Sequence, residues 1–291
     1  MSKHSHLKAL IRLVEDPDEI VFSHIRSKLI DCGKEAIPFL EMSWEEEDFG
    51  ILFQSRIEDI IHDIQFEEVC GLLSKWHASD NKELLEGALI LSQFQYPGLE
   101  RDLIFEEIQE IKQAIWLELS LKNTAMEKVR IFNKVFYGKY GFKGDSKHYH
   151  SPLNSYINTV LEMKRGNPLS LSILYSVIAQ ELKLPIYGVN LPNHFVLAYM
   201  DENHSLKAIG EQNSHGVLFY INAFSKGSLF DDSEIKQFLT SINTAHLRGF
   251  FEPCSHTQII KRMINNLINS FKEVGNAQKL EELQILKQIL D

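Results

Sequence analysis

Cysteine is scarce in this sequence. Three occur in 291 residues, Cys32, Cys70 and Cys254, with no CxxC pair and an odd total. That spacing fits neither a disulfide framework nor a zinc ligand set, and the expectation is reduced thiols in a cytoplasmic protein. Long apolar runs are missing as well. No segment approaches the roughly 20 apolar residues that span a bilayer, and residues 1–13 hold no continuous apolar stretch of the kind a secretion signal needs. Neither a membrane span nor a leader is expected. Basic residues are in deficit, 30 Lys plus Arg against 40 Asp plus Glu, for a net charge of −10. A protein that binds nucleic acid through phosphates needs a basic footprint, and no Lys/Arg run supplies one, so no nucleic-acid partner is expected.

What is present suits a folded chain with a sizeable core. Hydrophobic residues make up 44% and charged residues 24%, ordinary values for a globular protein, and the length allows about two domains. The first 137 residues read as nearly continuous helix. Leu7, Leu10, Ile11 and Val14 recur at helical spacing until Asp16-Pro17 interrupts. Ile20, Ile25, Leu29 and Ile30 lead to Gly33, a helix stop, and a short helix with an internal proline follows over 36–42. That layout resembles one HEAT-like unit. Further helical patterns cover 48–63, 65–77, 82–95 and 100–121, fitting a short solenoid or a plain bundle equally well. The acidic run at 45–48 reads as a solvated turn.

Composition shifts after Phe136, where "YGKYGFKGDSKHYHSP" marks a glycine-rich junction. A short helix follows, then a long apolar helix from Pro168 to Leu182. "IYGVNL" and "HFVLAYM" read as two strands joined at Pro192-Asn193, "VLFYINAF" as a third strand entered from a loop around 213–216, and the chain is helical again over 232–241, 255–273 and 276–290. The expected class is α+β and predominantly helical. It comprises a helical domain over 1–125, an α+β core with a small antiparallel sheet over 126–245, and a helical hairpin over 246–291.

The chemistry concentrates between Arg165 and Asn222. A helix start (Gly166-Asn167-Pro168), a histidine opening a strand (His194) and a polar residue on the next strand (Asn222) form the frame of a thiol enzyme. In such enzymes the helix N-terminus favours a thiolate, the histidine is the base, and an Asp or Asn orients it. On these residues the run resembles the transglutaminase-like core of the papain-like fold, with its G-x-C, L-G-I-P, histidine-strand and D-P elements. Gly166-Asn167-Pro168 falls on the first, Leu182-Lys183-Leu184-Pro185 on the second, His194-Phe195-Val196 on the third and Asn222-Ala223 on the fourth. The segments "HYHSPLNSYINTVLEMKRGNPLSLS" and "LPNHF", with the helical tail, are similar to the SirB-type branch, whose tail is TPR-like.

The resemblance implies a site in which Pro168, His194 and Asn222 stand for the triad. Proline has no thiol, no hydroxyl and no backbone N–H, so one residue removes both a nucleophile and a common oxyanion donor. Asn167 and Pro168 are also simply a good helix start, an N-cap followed by proline at the first helical position. Ser170 lies about 200° around the helix from Pro168, whereas Ser172 lies about 40° away but roughly 6 Å deeper. Ser172 is therefore the one substitute nucleophile to weigh. Arg165 either pairs with Glu162 or contacts an anion in the cleft. His148 and His150 flank Tyr149 in a loop without a carboxylate or a third spaced ligand, so no metal is expected. Phe132, Phe136, Tyr137, Tyr140 and Phe142 are expected to pack between domains.

The expectation is therefore a catalytically silent transglutaminase-like protein that holds a protein or peptide through Arg165, Asn167, His194 and Asn222, with no cofactor. The alternative is a hydrolase of altered mechanism that uses Ser172 and His194.

Overall fold

A computed structural model describes residues 3–45, 50–202 and 215–291. Most of the acidic run at 45–48 and the first half of the loop expected at 213–216 lie outside those residues. The chain divides into two compact units, Met1–Lys75 and Trp76–Asp291.

The first unit holds α1 (Lys3–Arg12), α2 (Glu19–Asp31), α3 (Ile37–Trp44) and most of α4 (Ile51–Ala78). Asp16-Pro17 ends the first helical segment as expected, and Asp18 caps α2 by accepting a hydrogen bond from Ile20 N at 2.8 Å. Gly33, at φ +62°, takes the left-handed turn that stops α2. Leu7, Leu10, Ile11, Ile25, Leu29, Leu40, Ile57 and Ile60 form the core. Into it runs Arg56, 5% exposed, whose Nη1 donates to Val14 O at 2.7 Å and Asp16 O at 2.8 Å. Glu19 accepts from Nη2 at 2.7 Å and neutralises the charge, so a paired buried cation holds the α1–α2 junction on α4. The break expected near residue 64 is absent. No proline interrupts α4, and Gly71 lies in open space, so nothing stops the helix there.

The second unit opens with α5 (Leu84–Gln93), α6 (Arg101–Trp116), α7 (Ala125–Asn133) and a π-helical turn at Lys134–Lys139. There follow β1 (Lys143–Gly144), α8 (Ile157–Met163), β2 (Arg165–Gly166), α9 (Pro168–Glu181), β3 (Ile186–Leu191), β4 (His194–Met200), β5 (Val217–Asn222) and β6 (Ser228–Phe230). The chain ends in α10 (Asp232–Ser241), α11 (His256–Val274) and α12 (Ala277–Ile289). The fold is thus predominantly helical α+β with one small antiparallel sheet, in the order β3-β4-β5-β6. β6 was not foreseen, and the expected third strand stops at Asn222, whose side chain caps a 3-10 turn instead.

α9 lies on β3 and β4 and is covered further by α5, α6 and α11. That explains why it is apolar all round rather than amphipathic. Beneath it the aromatic residues pack inside this unit. Phe132 stacks on Tyr175 of α9 at 3.9 Å between centroids, and Phe136 stacks on Phe142 at 4.2 Å. Tyr137 Oη donates to Ala223 O at 2.8 Å and Tyr140 Oη to Glu110 O at 3.2 Å. α11 and α12 form the expected hairpin, with Gly275 at φ +78° and Asn276 accepting from Lys279 N at 3.0 Å.

Candidate functional site

A two-residue parallel bridge, Lys143↔Arg165 and Gly144↔Gly166, delivers the chain to the start of α9. Asn167 is the N-cap there. Its Oδ1 accepts from Leu169 N at 3.0 Å and Ser170 N at 2.9 Å, and Leu171 N donates to Asn167 O. Pro168 contributes no N–H. The first-turn donors of α9 are thus closed from within, and none is left for an anion or an oxyanion. Ser170 is also bound, donating to Asn154 O at 2.6 Å and accepting from Asn167 N at 3.0 Å. Ser172 is wholly buried and donates to Pro168 O at 2.7 Å. Its proton is held one turn back along its own helix, a common fate for a mid-helix serine.

Above this helix end lies a cleft of about 520 Å³. Asn167, Pro168 and Leu169 supply one wall, Asn193, His194 and Phe195 at the β3–β4 turn another, and Tyr149 and His150 a third. The remaining wall is α11, which contributes Arg262, Asn266, Asn269, Ser270, Lys272 and Glu273.

His194 opens β4 opposite Leu191. Strand alternation places it on the same face as Val196 and Ala198, which pack with Ile235 and Leu239 of α10. The neighbouring Phe195 takes the α11 side, where it and Ile259 press on Gly188. Accordingly, the His194 ring lies 6.2 Å from that of Phe238. His194 also lines a second, smaller pocket of about 340 Å³ with Leu191, Asn222, Phe230, Ile235 and Phe238.

The proposed site residues therefore separate. Asn167, Pro168 and His194 meet in the cleft, whereas Asn222 shares only the second pocket with His194. Asn222 Oδ1 accepts from Phe224 N and Ser225 N, both at 3.1 Å, and among the described residues no side-chain hydrogen bond holds the imidazole. Arg165 lines neither space and forms no ion pair with Glu162. Its charge instead reaches Asp145, where burial raises the carboxyl's pKa but the His148 N–H and the charges of His148 and Arg165 help to hold it below the usual range. His148 and His150 approach different carboxylates, Asp145 at 3.5 Å and Glu273 at 3.4 Å.

Sequence reasoning missed the α11 wall. Its signal was present, since Arg262, Asn266, Asn269 and Glu273 recur at intervals of four, three and four, a polar stripe beside the buried face of an amphipathic helix.

Burial lowers the His194 pKa below the imidazole's usual value, and the positive charge of Arg262 adds to the shift. The unfolded chain then takes up a proton near pH 6.5 that the folded chain refuses. The stability contributed by neutral His194 is complete above about pH 6.5 and falls as pH drops below it towards the folded pKa. Urea midpoints measured between pH 5 and 8 should show this decline. His194→Gln should flatten it, and an unchanged slope would place the acid sensitivity elsewhere.

Among the described residues no helix is long and apolar enough to cross a membrane. F-box only protein 21 of mouse is 30% identical over 178 residues, which cover 60% of this chain and 26% of the mouse protein. A UPF0162 protein of Xylella fastidiosa strain 9a5c is 25% identical over 211 residues, covering 67% of this chain and 69% of its own. Another, from Vibrio cholerae, is 34% identical over 122 residues, 41% of this chain and 44% of its own. The chain thus spans about a quarter of the F-box relative and about two thirds of the Xylella protein. No solved structure matches it. A model of the transglutaminase-like superfamily matches residues 103–265, from α6 through the sheet and into α11, and with more than half of its length so matched the chain belongs to that superfamily.

Proposed function

We propose that this protein is a non-catalytic member of the superfamily, of the SirB-type branch, that holds a peptide segment of a protein partner in the cleft above α9. On this reading residues 126–245 are the transglutaminase-like core, and residues 246–291 are a TPR-like pair whose first helix forms one wall of the site. The observation that carries it is the closed start of α9. Asn167 takes the N–H groups of Leu169 and Ser170, and Pro168 offers none; on this reading Pro168 occupies the nucleophile position. Three free, scattered cysteines suit a reducing compartment, the cytoplasm.

The hydrolase alternative needs Ser172 to reach His194. Against it stands a hydroxyl that is buried, bonded to Pro168 O and absent from the cleft lining. A nucleophile and its base must lie within hydrogen-bond reach.

The test is an assay of peptide, ester and amide-transfer substrates on the purified protein. Turnover should stay at background, and Pro168→Cys, although it restores a thiol and one N–H, should not raise it, because Asn167 still takes the next two N–H groups and the imidazole stays unheld. Turnover in the wild type that His194→Ala abolishes would overturn the reading.

A further inference from the structure

The chain is acidic, with a net charge of −10, yet its cleft carries an unbalanced cation. Arg262 is half-buried on the α11 wall. Its Nη1 donates to Asn190 Oδ1 and to Leu191 O, both at 3.1 Å. Both acceptors are neutral, so they orient the guanidinium without cancelling its charge. Among the described residues no carboxylate lies within ion-pair distance of it. The one acid in the lining, Glu273, faces His150 at 3.4 Å, and Lys272 adds a second positive charge at the exposed end of the wall.

A guanidinium already withdrawn from water and fixed in direction binds a carboxylate at little further ordering cost. Burial in fact holds the Arg262 pKa below the ordinary guanidinium value, and a bound anion would relieve that penalty. Beside it, Asn266 and Asn269 lie along the same helix face. Each primary amide offers both donors and an acceptor, the pairing that an extended peptide backbone requires.

We infer that the cleft takes an acidic peptide segment, with one carboxylate on Arg262 and the peptide backbone along Asn266 and Asn269. This rests on the reading of the cleft as a binding site and names its ligand class. The carboxylate has two sources, an Asp or Glu side chain or a peptide C-terminus, and the experiment separates them.

Three fluorescein-labelled decapeptides serve as probes for anisotropy titration of the full chain. One alternates Glu and Gly and is amidated at the C-terminus, the second has Gln for Glu, and the third is the Gln peptide with a free C-terminal carboxylate. The inference expects the Glu peptide, or the free-carboxylate peptide if the terminus is the source, to bind at least about tenfold tighter than the amidated Gln peptide. Arg262→Met should weaken that binding roughly 30-fold, and Lys272→Gln only a fewfold, because its charge is solvent-screened. Thermal melts establish that Arg262→Met is folded; where it is not, Arg262→Lys serves, keeping the charge and losing the fork, with an expected weakening of several-fold.

Equal binding of all three peptides would overturn the carboxylate assignment and leave the cleft reading standing. Carboxylate-dependent binding unchanged in the Arg262 variant would overturn the assignment to this residue. Inorganic phosphate that displaces the probe at a concentration near the peptide's own Kd would reduce the site to a simple anion site. Binding of none of the peptides would overturn both this inference and the peptide-binding reading beneath it.

Discussion

Asn167→Ala is expected to destabilise the protein by about 3 kcal/mol, as read from urea denaturation at neutral pH. Asn167 is 6% exposed and every polar atom of its side chain is used. Oδ1 accepts from Leu169 N and Ser170 N, and Nδ2 donates to Ser155 Oγ at 3.0 Å. Loss of an N-cap alone costs about 1 kcal/mol. Here the released groups stay buried, and each unsatisfied donor adds a desolvation penalty of roughly 1–3 kcal/mol that partial relaxation reduces. Asn167→Asp keeps the acceptor at the positive end of the helix and should cost distinctly less. A loss below about 1 kcal/mol for the alanine variant would mean that water reaches the helix end. The closure on which the non-catalytic reading depends would then be wrong.

Gly227→Ala is expected to cost about 4 kcal/mol, more than any ordinary surface substitution. Gly227 has φ +70°, and a Cβ added there would overlap the Asn133 amide. A left-handed alanine costs roughly 1–2 kcal/mol by itself. The rest comes from Asn133, whose amide is held at both ends. Its Nδ2 donates to Gly227 O at 2.9 Å and its Oδ1 accepts from Tyr175 Oη at 3.0 Å. Moving the amide breaks both bonds and strands the buried Tyr175 hydroxyl. A double-mutant cycle separates the two contributions. In an Asn133→Ala background the glycine substitution should cost only the backbone share of about 1–2 kcal/mol. Equal costs in both backgrounds would show that the amide clash plays no part.

These two positions also mark how far the sequence could be read. Asn167 before Pro168 is legible as a cap because capping is local chemistry, decided by a side chain and the next three N–H groups. The same holds for the stop at Gly33, the two strands around Pro192-Asn193, and the hairpin split at Gly275, all of which appear where local pattern places them. Gly227 carried no such signal. Its partner Asn133 is 94 residues earlier, and nothing in either neighbourhood announces the pair. The extra strand β6 was missed because three residues carry too little alternation to register.

The site divides along the same line. Residues 165–222 by themselves determined the family resemblance and the start of α9 at Pro168, a residue with neither thiol nor hydroxyl, since a side chain's chemistry and its place in a helix turn are properties of the local chain. Only the tertiary structure decided which residues share a space. Strand alternation and the packing of α10 draw His194 towards Phe238 and join it to Asn222 in a second pocket. The fold of α11 back across the sheet brings Arg262, from almost 100 residues beyond Pro168, to the cleft. Solvation and proximity set the charge of that cleft, and they depend on which distant surfaces cover one another rather than on any spacing along the chain.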